Sequence, residues 1–187
     1  MDTIKTGKKT LDGMLSGGSL TVIAGRPGMG KSSLAFQIAG NIAECGKRVL
    51  LFSLEMDEPL IRKRMYMQGF EAYKNNVIVC DEPAVSVEYI TQKATDLEKI
   101  DAIFVDYIQL MRGKNNKLSS CKQEVEEIVS GLKLLAEKMN VPIVVVSQLG
   151  RNADSVTDES ELIASVRKAG FREQDTDWII FPPHMLN

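Results

Sequence analysis

The chain has 187 residues, of which 44% are hydrophobic and 26% are charged, and its formal net charge at pH 7 is −2. This length predicts one domain, residues 1–187, that buries about 70% of the surface exposed by its unfolded chain. The charge excludes nucleic-acid binding through bulk positive charge, so any DNA contact needs a local basic surface. Because no apolar run approaches about 18 residues and no signal peptide opens the chain, we expect a cytoplasmic protein without a membrane span.

The first half of the chain alternates apolar runs with stretches of helical spacing. Apolar, partly β-branched runs predict buried strands, and apolar residues recurring every three or four positions predict helices. The predicted strands of this half are residues 20–24, 48–54 and 76–80. The predicted helices are a short one within residues 10–15, one that follows the first strand and ends near Gly46, and one over residues 59–70. In the last of these, we interpret the basic residues 62–64 as a solvated face.

The second half follows the same alternation. Its predicted strands are residues 101–106, 141–147 and 177–181, its predicted helices are residues 87–97, 125–139 and 161–170, and its predicted loops are residues 111–120 and 148–160. The run over residues 141–147 is the most apolar, which predicts a central position in the sheet. Strands alternating with helices predict an α/β fold, with a mainly parallel, twisted sheet covered by helices on both faces.

A glycine-rich loop joins the first predicted strand to the first long helix. Residues 25–32 match the phosphate-binding pattern G-x-x-x-x-G-K-[ST] without a mismatch. Glycines let the backbone N–H groups turn toward phosphate oxygens, the lysine adds positive charge, and the serine hydroxyl is a ligand for Mg²⁺. The positive end of the helix dipole points at the same anion. The predicted nucleotide-binding residues are Gly25, Arg26, Pro27, Gly28, Met29, Gly30, Lys31, Ser32 and Ser33.

Three polar residues follow predicted strands at the edge where parallel sheets bind ligands. Asp106 ends an apolar strand, an arrangement in which a carboxylate supports Mg²⁺ through its water shell. Glu55 follows the second strand, where it is placed to orient or deprotonate an attacking water, and Gln148 follows the central strand, where it is placed to sense the terminal phosphate. Each also fits a solvated polar residue at the end of a strand, and the phosphate loop favours the functional interpretation.

Several strings in the chain occur together in a known family. The sequence resembles the RecA-like motor domain of bacterial and phage replicative DNA helicases of the DnaB type, over approximately residues 6–181. The resemblance lies in residues 6–7, 11–12, 24–31, 52–56, 105–111, 124–125, 132–133, 141–142, 147–149 and 173–177. The phosphate loop is shared by many families, whereas the strings Ser53–Met56 and Asp106–Met111 are much narrower.

The resemblance implies an ATP-dependent, DNA-stimulated enzyme that couples hydrolysis to movement along single-stranded DNA. It implies ATP and Mg²⁺ as cofactors, with Lys31 and Ser32 binding phosphates and Mg²⁺, Glu55 as catalytic base and Asp106 supporting Mg²⁺. It assigns to Gln148 the coupling of nucleotide state to DNA loops, so the catalytic set is Glu55, Lys31 and Gln148. The DNA-binding set is Arg167, Lys168 and Gly170, with Arg112, Lys114 and Lys117 as weaker members. The alternative for Arg167 and Lys168 is a solvated charged turn.

The chain also departs from that family. Against the family's pattern we expect a chain of the motor domain alone, without the amino-terminal domain and linker helix, and the segment after Glu55 is shorter than usual. No residue matches the family's arginine finger, which contributes on the order of 10³ to 10⁵ in rate, so we expect slow turnover by the isolated chain. Lys168 replaces an acidic residue of the family. These departures leave open a homo-hexamer, a nucleotide-binding module that pairs with a helicase ring or loader, and, more distantly, a relative of RecA-type recombinases or a small-molecule kinase.

Overall fold

The computed structural model describes residues 4, 6–7, 11–71, 73–83, 85–97, 99–113, 120–150 and 158–183. The strands in these ranges are β1 (Leu20–Gly25), β2 (Val49–Ser53), β3 (Val77–Cys80), β4 (Ala102–Asp106), β5 (Ile143–Gln148) and β6 (Trp178–Ile180). The α-helices are α1 (Lys31–Glu44), α2 (Glu58–Met67), α3 (Tyr73–Asn76), α4 (Val87–Thr95), α5 (Cys121–Met139) and α6 (Glu159–Lys168). Short 3₁₀ turns cover Ile108–Leu110 and Glu173–Asp175.

The strands form one sheet in the order β3-β2-β4-β5-β1-β6, and every pairing is parallel. β4 and β5 hold the two middle positions, which confirms the central place predicted for the most apolar run. In the register, Gly25 of β1 lies opposite Gln148 of β5, and Ser53 of β2 lies opposite Asp106 of β4. Since parallel strands end at the same edge, these four residues gather at the carboxyl edge of the sheet.

Helices cover both faces of the sheet, as the sequence predicts. α1 and α2 pack on the face that receives Ile23 and Leu51, and α4, α5 and α6 pack on the face that receives Val22 and Phe52. Successive strand residues point to opposite faces, so chain neighbours such as Val22 and Ile23 are both buried, but in different layers. This double burial is why the strands are continuous apolar runs, and it places each predicted strand boundary within two residues of the observed one.

The short helix predicted within residues 10–15 is wrong, because residues 11–14 form a turn. The Met14 backbone N–H donates to the Leu11 carbonyl at 3.1 Å, and Gly13 has φ 99°, outside the helical region. The Asp12 carboxylate accepts hydrogen bonds from both the backbone N–H and the hydroxyl of Thr6, each at 2.8 Å. The side chain of Asp12 therefore competes with helix formation by holding the preceding segment.

The segment after α2 also differs from its prediction. The helix ends at Met67 rather than at residue 70, and a second helix of one turn, α3, precedes β3. This segment is fastened to α1: the Glu71 N–H donates to the Glu44 carboxylate at 2.9 Å, and the Asn76 amide donates to the Ala43 carbonyl at 2.9 Å. The helix itself stops at a glycine, because Gly69 has φ 87° and the Phe70 N–H donates back to the Met65 carbonyl at 3.2 Å. The contacts with α1, which have no local sequence signal, fix the position of α3. No described helix is both long enough and apolar enough to cross a bilayer.

Candidate functional site

Residues 25–32 connect the end of β1 to the start of α1 at the carboxyl edge of the sheet. Gly28 and Gly30 have φ values of 77° and 80°, a left-handed conformation that disfavours residues with a Cβ atom. A Cβ added to either would meet no atom within 4 Å, so the backbone conformation, and not a lack of space, requires glycine. The concave side of the loop is open, and the first turn of α1 directs its free N–H groups toward it.

Lys31 is the first residue of α1, and its side chain is only 6% exposed. Its ammonium group donates a hydrogen bond to the Arg26 carbonyl at 2.8 Å, which closes the loop around it. Burial lowers the pKa of Lys31, and the negative charges of Asp106 and Glu55 act in the opposite direction. A largely desolvated ammonium group in an open phosphate loop has the chemistry needed to hold an anion.

Asp106 ends β4 and is 1% exposed. One carboxylate oxygen, Oδ1, accepts a hydrogen bond from the Ser32 hydroxyl at 3.1 Å, whereas Oδ2 is buried without a hydrogen-bond partner among the described residues. Burial raises the pKa of Asp106 to about 6, while the hydrogen bond from Ser32 opposes this shift. The peptide bond that joins Asp106 to Tyr107 is cis. A buried carboxylate and a hydroxyl in contact are hard oxygen donors that suit Mg²⁺.

Glu55 lies in the turn that follows β2, and its side chain is exposed. The buried Ser53 hydroxyl accepts from the Met56 N–H at 3.2 Å and donates to the Met56 carbonyl at 2.7 Å, which closes this turn. The Leu54 N–H donates to the Asp106 carbonyl at 2.8 Å and extends the β2–β4 pairing past the strand. These bonds place the Glu55 charge close enough to influence the pKa values of Lys31 and Asp106.

The basic residues 62–64 of α2 face solvent, as predicted: Lys63 and Arg64 are exposed, and Arg62 is partly exposed. Arg62 forms an ion pair with Glu58 one turn earlier in the helix. Arg64 is exposed, yet its charge favours the ionised form of Asp106 and so lowers the pKa of that carboxyl. This is the weakest of the influences on the pKa of Asp106, so Arg64 remains a residue of the solvated face.

Gln148 is the last residue of β5 and is held there by Gln109, a residue to which the sequence analysis gave no role. The Gln109 amide donates to the Ser147 hydroxyl at 2.9 Å and to the Gln148 carbonyl at 3.0 Å. Its oxygen accepts from the Gln148 N–H at 3.3 Å. This side chain thus pairs with the backbone of Gln148 as a neighbouring strand would. In the sequence, the signal for this role of Gln109 is its position within the string Asp106–Met111.

The predicted DNA-binding residues lie in two places. Arg167 and Lys168 form the last turn of α6, where the Arg167 guanidinium donates to the Phe171 carbonyl at 3.0 Å and Lys168 is exposed. Gly170 packs so closely on α5 that an added Cβ would lie 2.9 Å from the Lys122 carbonyl. The structure therefore sets this segment beside the first turns of α5.

Arg112 lies apart from that segment, at the end of the turn after β4. Its N–H donates to the Val85 carbonyl at 3.0 Å and its side chain is exposed. The next residue, Gly113, donates its N–H to the Glu124 carboxylate of α5 at 3.0 Å. Arg112 and the Arg167–Gly170 segment are thus both linked to the first turns of α5 through neighbouring residues. Lys114 and Lys117 lie outside the described residues.

Comparisons with known proteins agree with this geometry. The family model for the DnaB-like helicase C terminal domain matches residues 3–72 and 67–184. The replicative DNA helicase DnaB of Geobacillus stearothermophilus is 30% identical over 210 residues, covering 95% of this chain and 46% of that protein. The replicative DNA helicase DnaC of Bacillus subtilis (strain 168) gives the same identity and coverage. This chain therefore spans about half the length of these relatives.

Solved structures confirm the RecA-like fold. The ATPase domain of G40P superposes with a TM-score of 0.83 at 26% identity, covering 95% of this chain and 75% of that one. The RadB recombinase superposes with a TM-score of 0.59 at 20% identity, covering 88% of this chain and 79% of that one, a likeness of fold alone. The family match covers nearly the whole chain. The chain belongs to the family of DnaB-like helicase C-terminal domains.

Proposed function

We propose that this chain binds ATP with Mg²⁺ and is the motor domain of a DnaB-like helicase, coupling ATP hydrolysis to movement along single-stranded DNA. The meeting of Lys31, Ser32 and Asp106 at one edge of the sheet carries the proposal, because the Ser32–Asp106 hydrogen bond joins the phosphate loop to a residue 74 positions farther along the chain. Lys31 neutralises the outer phosphates while the loop N–H groups hold them. Glu55, exposed beside this pair, is the group that orients and deprotonates the attacking water.

Ser32 and Asp106 are the residues that would hold Mg²⁺. The buried Asp106 oxygen without a hydrogen-bond partner among the described residues fits a carboxylate that serves a cation or its water shell. When bound, Mg²⁺ neutralises charge that develops on the outer phosphates. Burial of Asp106 is costly without such a cation, so binding of metal and nucleotide would relieve a repulsive environment that Glu55 adds to.

DNA contact is assigned to Arg167, Lys168 and Gly170, with Arg112, Lys114 and Lys117 as further members of the set. Arg112 and the Arg167–Gly170 segment are tied to the first turns of α5, which gives them a common support. Gln148, at the end of β5, is the residue that relays nucleotide state, since it borders Gly25 of the phosphate loop on one side and Gln109 on the other. The partners would be single-stranded DNA and further copies in a ring, or a helicase or loader partner.

The test is DNA-stimulated ATP hydrolysis by the purified chain, compared with Lys31→Ala. We expect hydrolysis that rises with single-stranded DNA and falls to background in the variant, because the phosphates lose their buried cation. Lys138→Ala, which removes an exposed lysine at the end of α5, should leave the rate unchanged. Hydrolysis that persists in Lys31→Ala contradicts the proposed site. ATP binding without hydrolysis at any protein or DNA concentration favours the accessory module instead.

A further inference from the structure

The segment 170–177, which joins the end of α6 to β6, lies along α5 and packs against it at three successive points. The three contacts, in chain order, are those of Gly170 with the Lys122 carbonyl, Asp175 with Ser130, and Asp177 with Lys133. Their partners follow one another along α5 in the same order, so the segment and the helix run side by side. α5 therefore supports the chain that continues from Arg167–Gly170, the segment assigned to DNA contact.

The middle contact is a partly buried cluster of three polar side chains. Asp175 is 9% exposed, and its Oδ2 atom accepts hydrogen bonds from the Ser130 hydroxyl at 3.0 Å and from the Arg172 Nε atom at 2.7 Å. The Arg172 Nη2 atom lies 2.6 Å from the same oxygen and also donates to the Ser130 hydroxyl. Each of the three side chains thus bonds to the other two. Hydrogen bonds that involve ionised groups are stronger than those between neutral groups, so this cluster holds the segment firmly on α5.

This cluster lies directly after the last turn of α6. Phe171 is fully buried, and its carbonyl accepts a hydrogen bond from the Arg167 guanidinium at 3.0 Å. Arg172 is the next residue, so a shift of its side chain would displace the backbone that holds this turn. Lys168 is the exposed cation of the turn. The position of its charge therefore depends on the contacts that hold residues 170–175 to α5.

The cluster contributes geometry rather than charge to this surface. Arg172 and Asp175 neutralise each other, so the pair adds little to the attraction of a phosphate backbone. A cation on a turn that is already ordered loses less conformational freedom on binding than a cation on a loose turn, which favours binding. Loss of the cluster should therefore weaken DNA binding even where the net charge of the protein stays the same.

We propose that Asp175, held between Ser130 and Arg172, is a positioning residue that fixes the Arg167–Gly170 segment on α5 for contact with single-stranded DNA. The inference rests on the proposed function and deepens it, because it names residues that act through Lys168 without touching the nucleic acid. It predicts that the cluster matters for DNA affinity only while Lys168 is present.

The experiment measures binding of a fluorescent single-stranded oligonucleotide by anisotropy, and binding of Mg·ATP by calorimetry. Ser130→Ala removes one member of the cluster without changing the charge of the protein. We expect the dissociation constant for DNA to rise about three- to tenfold, the range for lost hydrogen bonds, while the affinity for Mg·ATP stays unchanged. An equal loss for both ligands would indicate a general effect on the fold and would overturn the inference.

Two matched variants control for the hydroxyl itself. Ser130→Thr keeps the hydroxyl, and a cavity of about 240 Å³ that Ser130 lines leaves room for the added methyl group, so DNA affinity should be restored. Ser165→Ala removes a hydroxyl that bonds to the Glu161 carbonyl one turn earlier in α6, as the Ser130 hydroxyl bonds to the Glu126 carbonyl in α5. This control should leave DNA affinity unchanged. A loss in Ser165→Ala as large as that in Ser130→Ala would contradict the role of the cluster.

The dependence on Lys168 separates positioning from a general loss of stability. In a Lys168→Ala background, Ser130→Ala should weaken DNA binding less than about twofold, because the cation that the cluster positions is gone. Losses that multiply in the double variant would overturn the inference.

Asp175→Asn tests the same cluster with the opposite expectation from charge. This change makes the net charge more positive by one, which by itself favours DNA binding. The positioning role predicts weaker binding instead, and tighter binding would overturn it. A failure of the proposed function gives a different pattern: DNA affinity that is unchanged in Lys168→Ala contradicts the assigned DNA contact, whereas a loss in Lys168→Ala with none in Ser130→Ala overturns the inference alone.

Discussion

Asp106 keeps a carboxylate inside the protein at a cost in stability. Burial raises its pKa to about 6 from an ordinary 3.8, so between these values the folded state binds more protons than the unfolded state. Stability therefore falls as pH rises from about 4 to about 6, and the full cost, about 2 to 3 kcal/mol, is present above that range. The cost lies where the site needs an oxygen ligand, which is typical of functional positions.

Replacing this carboxylate by an amide should stabilise the protein freed of metal. We expect Asp106→Asn to raise the free energy of unfolding by about 2 to 3 kcal/mol at pH 8, because the amide carries no charge to desolvate. Near pH 4 the gain should vanish, since the native carboxyl is then already neutral. Urea denaturation in EDTA at both pH values measures this. An equal difference at the two values would contradict the assignment, and Asp96→Asn, exposed at the end of α4, is the control.

Gln109 is expected to act through Gln148 rather than on nucleotide directly. Gln109→Leu removes the three hydrogen bonds that hold the end of β5. On the proposed function, ATP affinity should stay within about twofold while DNA-stimulated turnover falls about tenfold, the size expected for about 1.4 kcal/mol of lost positioning. Gln109→Glu keeps the acceptor but loses the amide donor, so its turnover should lie between those of the wild type and Gln109→Leu. Equal losses in affinity and turnover would indicate a merely structural role.

At the residue scale, the members of the site were predictable from the sequence, whereas the contacts that hold them in place were not. The phosphate loop was predictable from its motif. Asp106 and Glu55 were predictable because each stands where an apolar strand ends. The role of Gln109 arises from contacts with Ser147 and Gln148, which only the fold brings close. The predicted catalytic, metal and DNA-binding roles themselves stay predictions.

The α1 helix illustrates how one element carries both the site and its support. Its first residue is Lys31, and its middle packs so closely against the segment after α2 that a Cβ added at Gly40 would lie 2.5 Å from the ring of Phe70. Farther along, Glu44 and Ala43 receive hydrogen bonds from the α3 segment. The segment that follows Glu55 is thus anchored along the helix that begins at the phosphate loop.

Because of this close approach, we expect Gly40→Ala to change the stability in the direction opposite to that given by helix propensity. Within a helix, Gly→Ala gains about 1 kcal/mol, but the clash with Phe70 costs about 1 to 3 kcal/mol, so Gly40→Ala should destabilise the protein. In a Phe70→Leu background the same change should be neutral or stabilising. A double-mutant cycle measured by urea denaturation gives the coupling between the two positions. Additive effects would show that the ring and the helix do not restrain each other.

The elements themselves were predictable to different degrees. Strands buried on both faces are continuous apolar runs, so their positions followed from composition along the chain. The turn at residues 11–14 and the helix α3 did not follow, because each depends on a tertiary contact: Asp12 with Thr6, and Asn76 with Ala43. Local patterns favoured a helix at the first place and gave no signal at the second.

At the scale of the whole molecule, a net charge of −2 means that, on the proposed function, DNA affinity would depend on a few local cations. Lys168→Ala should weaken single-stranded DNA binding and reduce the slope of log affinity against log salt by about 0.7, the value for one lost phosphate contact. Lys138→Ala, elsewhere on the surface, should leave the slope unchanged. Fluorescence anisotropy over a salt series measures both. An unchanged slope in Lys168→Ala would support the solvated turn instead.

β1, the strand that leads into the phosphate loop, pairs with the two strands that come last in the sequence. β1 lies between β5 and β6, with Leu20 paired to Ile143 and Thr21 to Trp178. During synthesis the nascent chain must therefore hold this apolar strand unpaired until most of the polypeptide has left the ribosome. Such long-range pairing slows folding and leaves an unpaired strand edge that is prone to aggregation. The phosphate loop consequently gains its fixed support only after β5 and β6 have been synthesised.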